Sequence, residues 1–217
     1  MREAIIERLS KLSTSTVSDA MDRLGIAGQC LGIKPVDVKF RLCGRAYTMR
    51  TVPAEVVAGS VGDYIDDVPA GAVVVIDNGG RQDKTVWGDI LTFLADKNGV
   101  AGTVIDGNCR DIHRCIEINY PVFSRGWSMR TGKDRVQLDQ INIPVSIGEA
   151  RVEPDDLLLG DADGVLAIPK DHEDRVVELA EEIDAAEEKI MAALRQGKKL
   201  YDARMEFKYH ELQRRED

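Results

Sequence analysis

The chain has 217 residues, a formal charge of −9 at neutral pH, 43% hydrophobic and 31% charged residues. That balance suits a soluble α/β domain with a substantial core and excludes a disordered polymer, while the acidic surplus argues against nucleic-acid binding, which needs a clustered basic face. No apolar run approaches the ~20 residues of a membrane span, and the opening MREAIIERLS lacks the apolar centre of a signal peptide, so a cytoplasmic location without a membrane partner is expected.

Arg2 to Leu12 places Ile5, Ile6 and Leu9 at helical spacing, and Ser13 to Thr16 offers caps for a second short helix ending at Gly25. Gly44 to Val52 alternates Ala46, Thr48 and Arg50 against Tyr47, Met49 and Thr51, which predicts a strand exposed on one face. A helix is expected over Val57 to Ile65. Pro69-Ala70-Gly71 then turns the chain into Ala72 to Ile76, an unbroken apolar run with the character of a central strand. Asp77-Asn78-Gly79-Gly80-Arg81 follows as a glycine-rich loop. It lacks both the G-K-[ST] ending of a phosphate loop and the G-x-G-x-x-G spacing of a dinucleotide site. Its glycines are read as permitting close backbone approach beside a ligand, with Arg81 and Lys84 either adding charge there or simply solvated.

Chemistry-bearing residues are densest between Val86 and Asp111. Trp87-Gly88-Asp89 interrupts the chain, then Ile90, Leu91, Phe93 and Leu94 repeat at helical spacing up to a C-cap at Asn98-Gly99. A helix starting near Gly88 leaves backbone N–H groups free to hold an anion. Val100 to Ile105 reads as a buried strand, and Asp106-Gly107 as a turn that sets Arg110 and Asp111 past the strand's C-terminal end, where ligands of α/β proteins bind. Arg110 offers a planar fork of donors for a carboxylate, and Asp111 hard oxygens for Mg2+ or Mn2+. On spacing alone, Asp89, Asp106, Arg110 and Asp111 also fit ordinary cap, turn and surface charges.

Cys30, Cys43, Cys109 and Cys115 form no C-x2-C pair and, with three histidines, no zinc pattern. Cys109 adjoins Arg110 and invites a nucleophile reading, but no His-Asp partnership accompanies it; His113 reads as a residue of the helix surface or one supporting the site from behind, rather than a ligand. Ile112 to Ile118 completes a short helix, Pro121 to Phe123 a strand, and Val136 to Ile168 a series of short strands broken at Gly148, Pro154-Asp155 and Gly160. The mixture points to α/β rather than a regular Rossmann sheet. Asp161 and Asp163 fail the calcium-loop spacing and are read as a structural turn. From Asp171 to Gln196 a long helix follows, its apolar stripe running through Val176, Val177, Leu179, Ala180, Ile183, Ala186, Ile190 and Leu194 against an acidic face. Residues 198–217 form a charged C-terminal helix or tail.

Asp89, twenty intervening residues and then Arg110-Asp111 resemble the D-x20-R-D signature of the RraA-like family. Ser13-Thr14-Ser15-Thr16-Val17-Ser18-Asp19-Ala20, Val104-Ile105-Asp106-Gly107 and Gly160-Asp161-Ala162-Asp163-Gly164-Val165 are similar too, in family order, so the resemblance covers residues 1–197. It implies a single swivelling β/β/α domain and the divalent-metal-dependent chemistry of 4-hydroxy-4-methyl-2-oxoglutarate/4-carboxy-4-hydroxy-2-oxoadipate aldolases: retro-aldol cleavage of an anionic oxo acid to pyruvate, with oxaloacetate decarboxylation as a side activity. By resemblance Asp111 anchors Mg2+ or Mn2+. The amides of Gly88, Asp89, Ile90 and Leu91 bind substrate with Arg110, a water bound to the metal or held by Asp89 is the catalytic base, and Glu187, with Glu188 the alternative, reaches the site from a neighbouring subunit of a trimer or hexamer. Other members of the family regulate ribonuclease E without catalysis; the acidic residue at Asp89 favours the enzyme. A class I aldolase with Lys84 as its Schiff-base lysine is a further alternative, although nothing marks a desolvated lysine.

Overall fold

The structure is a computed structural model that describes residues 2–55, 59–60 and 62–209. The chain divides into two compact units, Gly28–Lys170 on one hand and Met1–Ala27 with Asp171–Asp217 on the other.

The Gly28–Lys170 unit is built on a mixed sheet. Its strands are β1 (Lys34–Pro35), β2 (Leu42–Pro53), β3 (Ala72–Thr85), β4 (Gly102–Cys109), β5 (Val122–Trp127), β6 (Val136–Ile141), β9 (Leu157–Asp161) and β10 (Gly164–Ile168); β7 (Val145–Ile147) and β8 (Ala150–Val152) form a separate hairpin. The order across the sheet is β1-β5-β4-β3-β2-β9-β10, with β6 also paired to β2. Strands β2, β3, β4 and β5 run parallel, and the others are antiparallel to their neighbours. Parallel neighbours need crossovers, which α3 (Asp89–Lys97) and α4 (Ile112–Glu117) provide. Val73, Val74, Val75 and Ile76 of β3 and Val104 and Ile105 of β4 are buried to within 1% of full burial, as expected of strands covered on both faces.

Several local readings change. Strand β2 has no open face: buried and half-buried residues alternate from Leu42 to Thr48, and a register shift between Arg50 and Thr51 then breaks the period. The helix expected over Val57 to Ile65 falls partly on positions 57–58 and 61, outside the described residues; a short 3-10 helix covers Asp63–Asp67. The glycine-rich stretch is not a loop, because β3 continues to Thr85 and absorbs Asn78, Gly79 and Gly80 as a bulge, Asp77 pairing with Asp106 and Arg81 with the next residue, Gly107. Gly79 (φ +61°) and Gly80 (φ +68°) supply the left-handed backbone that the bulge requires. Correspondingly Asp106-Gly107 is not a turn but lies inside β4. A Cβ on Gly107 would stand 2.9 Å from the Arg81 carbonyl oxygen, so only glycine fits beneath the bulge. Strand β9 likewise runs through Gly160, and the chain reverses at Ala162-Asp163, where the Asp163 amide donates to Asp161 Oδ1 at 3.0 Å.

The second unit contains α1 (Arg2–Leu9), α2 (Thr14–Arg23), α5 (Glu173–Arg195) and α6 (Leu200–Glu206). Ser13 caps α2 as its sequence suggested, accepting from the Thr16 amide at 3.0 Å. The α5 stripe is buried from Val176 to Ile190, whereas Leu194 is 36% exposed. Each fully buried Val, Leu or Ile there contributes about 1.5–3 kcal/mol. Among the described residues no helix is long and apolar enough to cross a membrane.

Candidate active site

A cleft of about 330 Å3 opens where β3 and β4 end and α3 begins. Its floor is fixed by Trp87, which is buried, stacks on Tyr120 with ring centroids 6.1 Å apart, and donates from Nε1 to Thr92 Oγ1 at 2.9 Å. Thr92 Oγ1 donates in turn to the Gly88 carbonyl at 2.8 Å, and the Arg110 amide donates to the Trp87 carbonyl at 3.0 Å. The strand-to-helix corner at Gly88 and the corner after β4 are thereby tied together.

Asp89 and Asp111 meet across that tie. The Asp89 amide, first of α3, donates to Asp111 Oδ2 at 3.3 Å, and Arg110 Nε lies 3.3 Å from the same oxygen. Asp111 has left-handed backbone angles, φ 56° and ψ 39°, a conformation that aspartate tolerates better than most residues and that turns its carboxylate toward α3. Gly88 lets the two segments approach closely: a Cβ would stand 2.9 Å from Asp111 Oδ2 and 3.2 Å from Arg110 Nε, and those side chains would have to shift. Of the amides expected to face a ligand, that of Asp89 is taken by Asp111 and that of Ile90 by Asp89 Oδ1 at 2.8 Å. Those of Gly88 and Leu91 have no hydrogen-bond partner among the described residues. Gly88, Asp89, Ile90, Leu91 and Arg110 all line the cleft. Asp111 stands directly behind Gly88.

No group of three or more His, Cys, Asp or Glu side chains able to hold a metal occurs among the described residues. The chemistry that remains is that of one half-exposed carboxylate whose protein contacts both fall on Oδ2. A single hard oxygen donor suits Mg2+, which keeps most of its waters, and does not suit a caged transition metal.

Other residues read from the sequence take different places. Asp106 is buried, pairs with Arg125 through Oδ1 and accepts the Gly148 amide on Oδ2 at 3.0 Å, so it braces the sheet. Arg81 turns inward and donates to the Asn78 carbonyl at 2.8 Å, and neither it nor Lys84 lines the cleft. Cys109 is buried beside Ser124, and burial pushes its thiol up to about 11, which removes the nucleophile reading. His113 is exposed on α4. Glu187 belongs to the other unit and accepts from the Tyr209 hydroxyl at 2.9 Å.

Two contributors carried no local signal. Gly62, Asp63, Ile65 and Asp66 form one part of the lining, and Thr131, Gly132 and Lys133 another. The second segment is locked by a bridge between Thr85 and Thr131, and a Cβ on Gly132 would stand 2.2 Å from the Thr85 carbonyl oxygen. Only the pairing at the end of β3 reveals it.

Comparison with known proteins identifies the family. The RraA-like (Aldolase/RraA) family matches residues 14–167. Protein DlpA of Legionella pneumophila is 38% identical over 210 residues, which are 95% of this chain and 34% of that protein, so the chain spans about a third of that relative's length. A Halalkalibacterium halodurans protein named "Putative 4-hydroxy-4-methyl-2-oxoglutarate aldolase" is 33% identical over 183 residues, 84% of this chain and 85% of its own. The crystal structure of an uncharacterized protein from Pseudomonas syringae pv. tomato shares the fold with a TM-score of 0.88 at 39% identity, covering 93% of this chain and 97% of that one. On the family match over residues 14–167, these identities and the shared fold, the chain belongs to the RraA-like family.

Proposed function

We propose that the protein cleaves a short 4-hydroxy-2-oxo acid of the 4-hydroxy-4-methyl-2-oxoglutarate type by retro-aldol chemistry, and decarboxylates oxaloacetate as a side activity. One observation carries this reading: Arg110 and Asp111 converge on the Gly88 corner, at the N-terminus of α3 and against a cleft of about 330 Å3. The guanidinium of Arg110 and the Gly88 and Leu91 amides offer donors for the carboxylate and keto oxygen of a pyruvyl group. They supply local positive potential in a chain whose net charge of −9 repels anions.

In the reaction the C4 hydroxyl loses its proton, the C3–C4 bond breaks to leave a carbonyl at C4, and its electron pair passes to the C2 oxygen as the pyruvate enolate. The enolate then takes a proton at C3. Donors fixed in advance around the C2 oxygen favour that charge. Asp111 would hold Mg2+ or Mn2+, which supplies Lewis-acid stabilisation of the same oxygen. Asp89, exposed at the cleft mouth, is the carboxylate assigned to hold the water that accepts the C4 proton. Glu187 of a neighbouring subunit, in a trimer or hexamer, is the second acid-base group in this reading.

The test is pyruvate release from oxaloacetate and from 4-hydroxy-4-methyl-2-oxoglutarate, with Mg2+ or with EDTA, for wild type and Asp111→Ala. Metal-dependent turnover that disappears in the variant is expected. Folded protein that turns over neither compound overturns the assignment, and EDTA-resistant turnover transfers it to a lysine mechanism.

A further inference from the structure

The C-terminal extension is placed by a sequence of definite contacts. Helix α5 ends in a Schellman motif: the Gly197 amide donates to the Leu194 carbonyl at 2.9 Å, the Lys198 amide to the Ala193 carbonyl at 3.1 Å, and Gly197 takes a φ of +88°. The chain therefore reverses, and α6 packs back on α5 through Ala203, which is fully buried, while Lys198 pairs with Glu206. Tyr209 then lies against α5, with the Arg204 guanidinium 5.4 Å from its ring centroid and its hydroxyl 2.9 Å from Glu187 Oε1, twenty-two residues back along the chain.

The acidic face of α5 is treated unevenly. Glu178, Glu182, Asp184 and Glu188 are exposed, and Glu181 is paired with Arg8 at 2.7 Å. Glu187 is half-buried, and its carboxylate takes a hydroxyl from a segment beyond the residues matched by the family. We infer that Tyr209 is a positioning residue, fixing the Glu187 carboxylate in the orientation it needs when it meets substrate. The inference rests on the aldolase reading, and within it selects Glu187 over Glu188. Burial, with the hydrogen bond to Glu187 and the nearby charge of Asp19, pushes the phenol above its ordinary value, so the hydroxyl stays a donor through the neutral range. A donor held this way limits the rotamers of a long side chain and so lowers the entropic cost of placing it at a reacting group.

The test is steady-state kinetics of pyruvate release for wild type, Tyr209→Phe, Glu187→Gln and the double variant, with elution volume on gel filtration as the check that assembly is intact. Phenylalanine keeps the ring over Arg204 and removes only the hydroxyl. Tyr209→Phe is expected to lower kcat about tenfold, the order of one hydrogen bond to a charged group, with KM within about twofold. In the Glu187→Gln background the same change is expected to have no further effect. Full activity of Tyr209→Phe alongside an impaired Glu187→Gln overturns the positioning role, as does an equal loss in both backgrounds. Full activity of Glu187→Gln removes Glu187 from the site and the inference with it. Absence of turnover in wild type overturns the aldolase reading and this inference together, whereas the other outcomes leave the aldolase reading standing.

Discussion

The carboxylate of Asp111 accepts the backbone amide of Asp89 at 3.3 Å, joining the first residue of α3 to the first residue beyond Arg110. That contact aligns the negative charge with the positive end of a helix dipole and leaves the guanidinium of Arg110 beside it. It ties the Gly88 corner, Arg110 and Asp111 to one another across the two chain segments.

Asp111→Asn retains the shape and the acceptor for the Asp89 amide but removes the charge. Pyruvate release is expected to fall by about 10² to 10³, as for loss of one preorganised stabilising group, while the urea midpoint stays close to wild type because the side chain is half-exposed. Retention of activity within threefold would show that the carboxylate has no part in turnover.

Gly88→Ala tests the same corner from the other side. The added methyl would meet Asp111 Oδ2 at 2.9 Å and Arg110 Nε at 3.2 Å, the far ends of two part-exposed side chains that can swing aside by giving up their contacts at this corner. Because Gly88 has extended backbone angles, φ −156° and ψ −166°, no conformational strain accompanies the change. Stability is therefore expected to shift by less than about 0.5 kcal/mol, and activity to fall about as far as in Asp111→Asn. A variant that is fully active, or one that is largely unfolded by circular dichroism, contradicts this picture.

Much of the fold was legible because periodicity and caps act locally. Ser13 before α2, Asn98-Gly99 after α3 and the apolar stripe of α5 each fix an element from its own residues. Asp89, Arg110 and Asp111 could be expected near one another because they lie within one strand-helix-strand unit. What escaped was long-range. Nothing near Asp106 announces Arg125 or the Gly148 amide, so a buried aspartate looked like a turn residue. Gly79 and Gly80 looked like a loop because a bulge and a loop use the same left-handed glycines. Lys133 reaches the cleft only because Thr131 pairs with Thr85, forty-six residues earlier.

Asp106 should consequently behave as a structural residue. Asp106→Ala leaves the Arg125 guanidinium without its partner and the Gly148 amide without an acceptor, inside a sheet where Asp106 is 5% exposed. The expected cost is about 3 kcal/mol, the scale of breaking a buried pair from one side, read as a lower urea midpoint at unchanged slope. An unchanged midpoint would return Asp106 to the class of surface turn residues.

The thiols make stability depend on pH in a definite direction. Burial pushes Cys30 up to about 12 and Cys43 and Cys109 up to about 11 from an ordinary value of 9.0. With the folded value raised, the folded chain holds these protons longer than the unfolded chain does. Their contribution is thus fully present below pH 9 and is lost as pH rises from 9 toward 11, at roughly 1.4 kcal/mol per pH unit for each thiol. Urea midpoints at pH 8, 9 and 10 should fall over the last interval, and fall less in Cys30→Ala, in which one of these thiol titrations is removed. Lysines and tyrosines titrate in the same range and are common to both proteins, so the difference between the two curves isolates the thiol. Parallel curves from pH 8 to 10 would mean that Cys30 is as accessible to ionisation in the folded protein as in the unfolded chain.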